Sequence, residues 1–133
     1  VVSELLTAPP LLPIDFVKVR SSIGGDDAFL CELAQTFVTT SSQLVDEIRQ
    51  CAKNCDREGV SRAAHSLKGA CASMHAEPLR ELSRELEARA LTPSETEITE
   101  RITQLAGEFQ RVAGAVRDFG PRSDVTRATT KSP

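Results

Sequence analysis

Three residues in the stretch "AAHSLKGACAS", 63 to 73, have the types and spacing to do chemistry together. The imidazole of His65, with an ordinary pKa near 6.5, is mostly neutral at pH 7 and keeps a nitrogen lone pair free to attack an electrophile. Lys68 stands one helical turn further on and Arg62 one turn back, so both bring positive charge to the ring. Gly69 is the odd member, because a glycine inside a helix costs about 1 kcal/mol relative to alanine. Phosphoryl transfer suits this set best: its charge spreads over equatorial oxygens that nearby cations can hold.

Whether such chemistry is accessible depends on which way His65 points. With Leu67 as the origin and about 100° per residue, Val60, Ala63, Ala64, Ala70, Cys71 and Met74 fall within about 60° and form the core face. His65 then lies at about 160°, Gly69 at about 200°, Ala72 at about 140° and Ala76 at about 180°. The face opposite the core thus carries one imidazole on a nearly bare surface of Gly and Ala, where a solvated face would carry Glu and Lys. A bare outward face suits a docking partner, with Gly69 admitting that partner's backbone and Arg62, Ala72 and Ala76 touching it. Read blandly, His65 is a surface histidine with no role.

The rest of a phosphoryl-transfer machine is missing. No Walker-type loop is present, and "IGGDD" (23 to 27) is a turn followed by a cap rather than a G-x-G-x-x-G cradle. No cluster of carboxylates suggests a magnesium site. The chain is therefore expected to hold no cofactor or metal and no ATP site, with any Mg²⁺ supplied by a partner. Cys51 and Cys55, at i and i+4, could ligate a metal with His65 or His75, but the spacing misses the usual zinc patterns. Small buried hydrophobes are the simpler reading of both cysteines.

The elements that position His65 are helices. A chain of 133 residues is one domain's worth. Leu, Ala, Glu and Arg dominate, and there is no Trp or Tyr. A net charge of −3 argues against nucleic acid. No apolar run approaches the roughly 18 residues of a membrane span, and no signal peptide is evident. The four cysteines fall in expected helices, which fits reduced thiols and a cytoplasmic location. The chain opens on Val1 rather than Met and reads as a piece of a longer protein.

Along the chain, residues 1–13, ending in "TAPPLLP", read as a linker into a short helix capped at Asp15. Gly24 and Gly25 turn the chain, and Asp26 caps a long helix with an apolar stripe at Leu30, Leu33, Phe37, Leu44, Ile48, Cys51 and Cys55. "TTSS" (39 to 42) is a weak patch that could bend it. Asp56 caps the His65 helix, and Pro78 starts the next, which repeats Leu79, Leu82 and Leu86. "TPSE" (92 to 95) reads as a capping box before a stripe of Ile98, Ile102, Leu105, Phe109, Val112, Val116 and Phe119. Gly120-Pro121 is expected to stop this helix and 121–133 to be a disordered tail. Glu85 with Arg89 and Glu97 with Arg101 read as solvated i, i+4 pairs. The sum is an all-α, antiparallel four-helix bundle over 14–120 with a short additional N-terminal helix.

The run "AAHSLKGACASMHAEPL" resembles the histidine phosphotransfer (HPt) domains of multistep two-component relays, whose signature is His-Ser-Leu-Lys-Gly followed by small residues. "IDF", "IGGDDAFLCEL" and "LRELSRELE" are similar to the family's flanking helices, in the right order, so that the likeness covers about residues 14 to 119. The resemblance implies that His65 accepts a phosphoryl group from a receiver-domain aspartate and passes it to another receiver. It further implies that Lys68 is the charge partner and Gly69 the access residue. The proline-bearing start and ragged tail suggest the C-terminal module of a hybrid sensor kinase, acting as a monomer. One departure stands out: the family commonly has glycine ten residues after its histidine, where this chain has His75. Two other readings compete, an adaptor bundle with an idle His65 and a sensor-kinase dimerisation domain, for which the chain is too short to include an ATP-binding domain.

Overall fold

The computed structural model of the chain describes residues 12–92 and 94–131, side chains beyond 119 excepted. Five helices follow in order: α1 (Phe16–Ser22), α2 (Asp27–Lys53), α3 (Arg57–Ser73), α4 (Glu77–Arg89) and α5 (Glu95–Lys131). No strand occurs among the described residues. Each of the first three starts on an aspartate whose carboxylate accepts a backbone N–H of the first turn: Asp15 from Lys18, Asp26 from Phe29, Asp56 from Gly59. Pro78 sits in the first turn of α4, where its missing N–H has no intrahelical partner to lose.

Packing runs α2 on α3, α3 on α4, α4 on α5 and α5 back on α2, closing a four-helix bundle, with α1 set against α2. Phe16 of α1 stacks on Phe119 of α5, ring centroids 4.6 Å apart and planes 9° apart. The Asp15 N–H donates to the His75 carbonyl at 3.1 Å, so α1 closes the end of the bundle where α3 turns into α4. Val60, Ala63, Ala64, Leu67, Cys71 and Met74 of the His65 helix and its end are buried. The α5 stripe from Ile98 to Val116 is buried as its spacing implies, and Phe119 packs against its end.

Several expectations need correction. The stripe that α2 buries is Leu30, Ala34, Phe37, Ser41, Val45 and Ile48, while Leu33, Leu44 and Cys51 flank it half-buried. A small residue facing the core, such as Ser41, carries little hydrophobic signal. "TTSS" lies inside one uninterrupted helix. Cys55 is exposed because α2 ends at Lys53, before the helical period reaches it. The cap of α5 is Ser94, whose Oγ accepts the Glu97 N–H at 3.2 Å, two residues later than the expected box. Pro93 and residues 1–11, most of the expected linker, lie outside the described residues. Helix α5 runs through Gly120-Pro121 to Lys131, although a proline inside a helix removes one backbone hydrogen bond and crowds the carbonyl four residues earlier. The side chains of the expected tail lie outside the described residues. Glu85 pairs not with Arg89 but with Arg101 across the α4–α5 interface, at 2.6 Å, and Arg101 also reaches Glu97.

Three helices end alike. After α1, α2 and α3 a residue with positive φ follows the cap, and two backbone N–H groups fold back onto carbonyls of the last turn. After α1 that residue is Gly24; after α2 and α3 it is Cys55 (φ 61°) and His75 (φ 52°). An L-residue in this region is strained by about 1 kcal/mol against its Cβ. His75→Gly should therefore raise unfolding stability by up to about 1 kcal/mol, less the extra freedom glycine has in the unfolded chain. Urea unfolding checks it, and an unchanged or lower midpoint would mean that the His75 side chain repays its strain through contacts.

Candidate functional site

The core residues of α3 aim the site. Leu67 and Ala64 are fully buried, and their insertion into the bundle turns the positions between and beside them outward. His65 lies midway along α3 with its side chain 66% exposed, and Arg62, Gly69 and Ala72 are exposed with it. A Cβ built on Gly69 would meet nothing within 4 Å, so no contact inside the chain demands a glycine there. Ala76 is the exception to the expected outward face. It is wholly buried, because α3 stops at Ser73 and the turn through His75 carries Ala76 inward as the cap of α4.

One residue of the site comes from another helix. Glu87 of α4 places Oε2 2.9 Å from His65 Nδ1 and Oε1 2.8 Å from Lys68 Nζ, so a single carboxylate bridges the imidazole and the ammonium. Glu87 is 27% exposed. Its carboxyl is held below the usual carboxylate range, first by the hydrogen bond from Lys68; burial opposes this as the next effect in size, and the hydrogen bond from His65 then adds to the lowering. An ionised carboxylate only accepts hydrogen bonds, so Nδ1 must carry a proton, and in the neutral ring Nε2 keeps the lone pair. With Nδ1 turned to Glu87 and the side chain 66% exposed, Nε2 is the ring nitrogen left free of that contact.

Glu87 was not singled out from sequence, where it is one of several glutamates in "LRELSRELEARA". A signal existed: in an antiparallel pair, residues about equally far from the turn at His75 come level, which brings 65 and 87 together. His75 itself is no rival to His65. It holds the turn by its backbone, its carbonyl taken by Asp15.

Other chemistry finds less support. Among the described residues no three His, Cys, Asp or Glu side chains gather as metal ligands. The four cysteines are free thiols, and burial pushes that of Cys71 up to about 12, far from a reactive thiolate. A groove of about 660 Å³ lies between α2 and α5, bordered by residues such as Arg49, Lys53, Thr99 and Thr103, and carries none of the site residues. No helix among the described residues is long and apolar enough to cross a membrane.

These features can be set beside known proteins. No curated protein sequence matches the chain. A solved structure from rice, described as a candidate histidine-containing phosphotransfer protein, superposes with a TM-score of 0.68 at 14% identity. The superposition covers 89% of this chain and 84% of that one, which establishes a common fold. A sequence model of the Hpt domain matches residues 32–115, which include His65, Lys68, Gly69 and Glu87. That match spans well over half of the chain, and the chain belongs to the Hpt domain family.

Proposed function

We propose that this domain is a phosphoryl carrier between receiver domains, the partners with which Hpt domains interact, and that Nε2 of His65 carries the group. The observation that supports this most is the exposed imidazole with Nδ1 engaged at 2.9 Å by Glu87. In that tautomer Nε2 needs no base, since it has no proton to lose. Its lone pair attacks the phosphorus of a receiver's aspartyl phosphate. A P–N bond forms, the P–O bond breaks, and its electron pair returns to the aspartate carboxylate. The ring becomes a phosphoimidazolium that keeps its Nδ1 proton. Attack by a second receiver's aspartate reverses these bonds and restores the neutral ring.

Lys68 lies on the same face and offsets charge on the transferring oxygens. Gly69, Ala72 and Arg62 form the rim against which a receiver closes. The Mg²⁺ such transfers use belongs to the receiver, as does most of the catalytic machinery. The context that fits best is a monomeric cytoplasmic module, at the C-terminal end of a hybrid sensor kinase.

Incubation with a phosphorylated receiver and Mg²⁺ should add one acid-labile, base-stable phosphoryl group, and ATP alone should add none. Labelling by ATP alone would overturn the reading, and no labelling by any receiver would leave an adaptor bundle in its place. Lys68→Ala should fold normally and slow transfer about tenfold or less, as one partly solvated charge is worth about 1 kcal/mol. Measured by quenched-flow or gel-based phosphotransfer, an unchanged rate would show that the receiver supplies all the neutralising charge.

A further inference from the structure

The helices pack in a closed ring, so the seam opposite the α3–α4 pair that carries His65 and Glu87 is the one between α2 and α5. Its groove of about 660 Å³ does not stand alone. Through Arg49, Ile102 and Thr103 it runs into a second cavity of about 300 Å³ that reaches Gly107 and Gln110. Through Ala52, Lys53 and Thr99 it runs into a third, of about 200 Å³, that reaches Glu95. Together they follow α5 from Glu95 to Gln110, a length of roughly 22 Å at 1.5 Å per residue. A small ligand would fill a fraction of this. A helix of about four turns would fill it all.

The groove has an apolar floor and two unlike walls. Ile102 and Ala106 form the floor, each 8% exposed. Thr99, Thr103, Gly107 and Gln110 on the α5 wall carry no charge. On the α2 wall Arg49 and Lys53 are exposed, and neither has an ion-pair partner among the described residues. The arginines of α4 and α5 differ: Arg80, Arg84, Arg89, Arg101 and Arg111 each hold a glutamate. Asp46 lies one turn before Arg49 without pairing to it, and Glu95 stands at one end of the groove. Arg49 and Lys53 thus set two unpaired cations about 6 Å apart along the axis of α2, the spacing of two glutamates one turn apart on another helix.

We propose that the α2–α5 groove docks an acidic amphipathic helix of a partner protein, its apolar residues laid on Ile102 and Ala106 and its glutamates, one turn apart, on Arg49 and Lys53. Such a helix extends the bundle by one member and covers the floor with side chains at i, i+3 and i+4. Gly107 has no side chain, and a Cβ built there would meet nothing within 4 Å, so the partner can approach α5 closely. A lipid or nucleic-acid surface suits the groove less, because Asp46 and Glu95 border it and the chain carries a net charge of −3. Since the seam faces away from His65, a docked helix leaves the imidazole open. One partner could hold the domain while others meet His65.

The test is an NMR titration of ¹⁵N-labelled domain with a synthetic helical peptide of about 15 residues, the length of the groove, with leucines at i, i+3 and i+4 and glutamates on their flanks. A twin peptide has lysine for every glutamate. The acidic peptide should shift the amides around Arg49, Lys53, Thr103 and Gly107 and leave those around His65 in place. The twin should bind about tenfold more weakly or worse, as repulsion replaces attraction at two exposed cations. Arg49→Glu with Lys53→Glu should invert that preference. Gly107→Leu should keep or raise the melting temperature, leucine being the better helix former, and weaken the acidic peptide by about tenfold or more. Phosphoramidate, a small donor that needs no docking surface, should label His65 equally with and without bound peptide. Equal binding of the two peptides, or no shift at the groove with millimolar acidic peptide, would overturn the proposal. Phosphatidylglycerol vesicles or duplex DNA shifting the groove amides in the peptide's stead would also overturn it, assigning the cations to a lipid or nucleic-acid surface.

Discussion

His65→Gln should abolish phosphoryl acceptance while leaving the domain as helical and nearly as stable as before. Glutamine has no ring nitrogen to form a P–N bond, so the expected loss is complete within detection. The fold should barely respond, because the His65 side chain is 66% exposed and packs against no core residue. Its side chain is held by Glu87, and a solvated pair of this kind contributes about 1 kcal/mol or less. Circular dichroism, a melting curve and phosphotransfer from a labelled receiver decide the matter together. Acceptance that persists in the folded variant would place the nucleophile elsewhere and end this account of the site.

Gly69→Leu should separate stability from function. Leucine is a far better helix former than glycine, and the added side chain enters open space, so the melting temperature should hold or rise. Transfer from a receiver should fall by an order of magnitude or more, since the new side chain stands one turn from the His65 ring where the partner must close. Phosphorylation by phosphoramidate should change little. That contrast distinguishes exclusion of a partner from damage to His65. Receiver-dependent transfer at the wild-type rate in folded Gly69→Leu would show the glycine to be incidental.

What could be read from the sequence was what helices decide locally. Asp15, Asp26 and Asp56 cap helices because short acceptor side chains satisfy the free N–H groups of a first turn. The α5 stripe and the outward direction of His65 follow from a period that needs no knowledge of other elements. The failures lie where a second element or a helix end intervenes. The helical period places Ala76 on a face of α3 that no longer exists at that position. Ser41 faces the core because neighbouring helices approach there, which its own polarity does not reveal. Glu87 joins the site through the register of α4 against α3, and Arg101 chooses Glu85 for the same kind of reason.

Leu67 separates His65 from Lys68 along α3, and Leu86 immediately precedes Glu87 on α4; both leucines are fully buried. The reacting groups thus ride on the shoulders of core residues, with no loop between chemistry and packing. The histidine, lysine and glutamate are consequently not free to drift apart in a lineage unless the core repacks with them. Arg62, Gly69 and Ala72 face solvent and take no part in the bridge that Glu87 makes. On the function proposed above, partner choice can diverge at that rim by single substitutions while the transfer step stays the same, so duplicated copies of this domain can acquire separate receivers without reinventing the reaction.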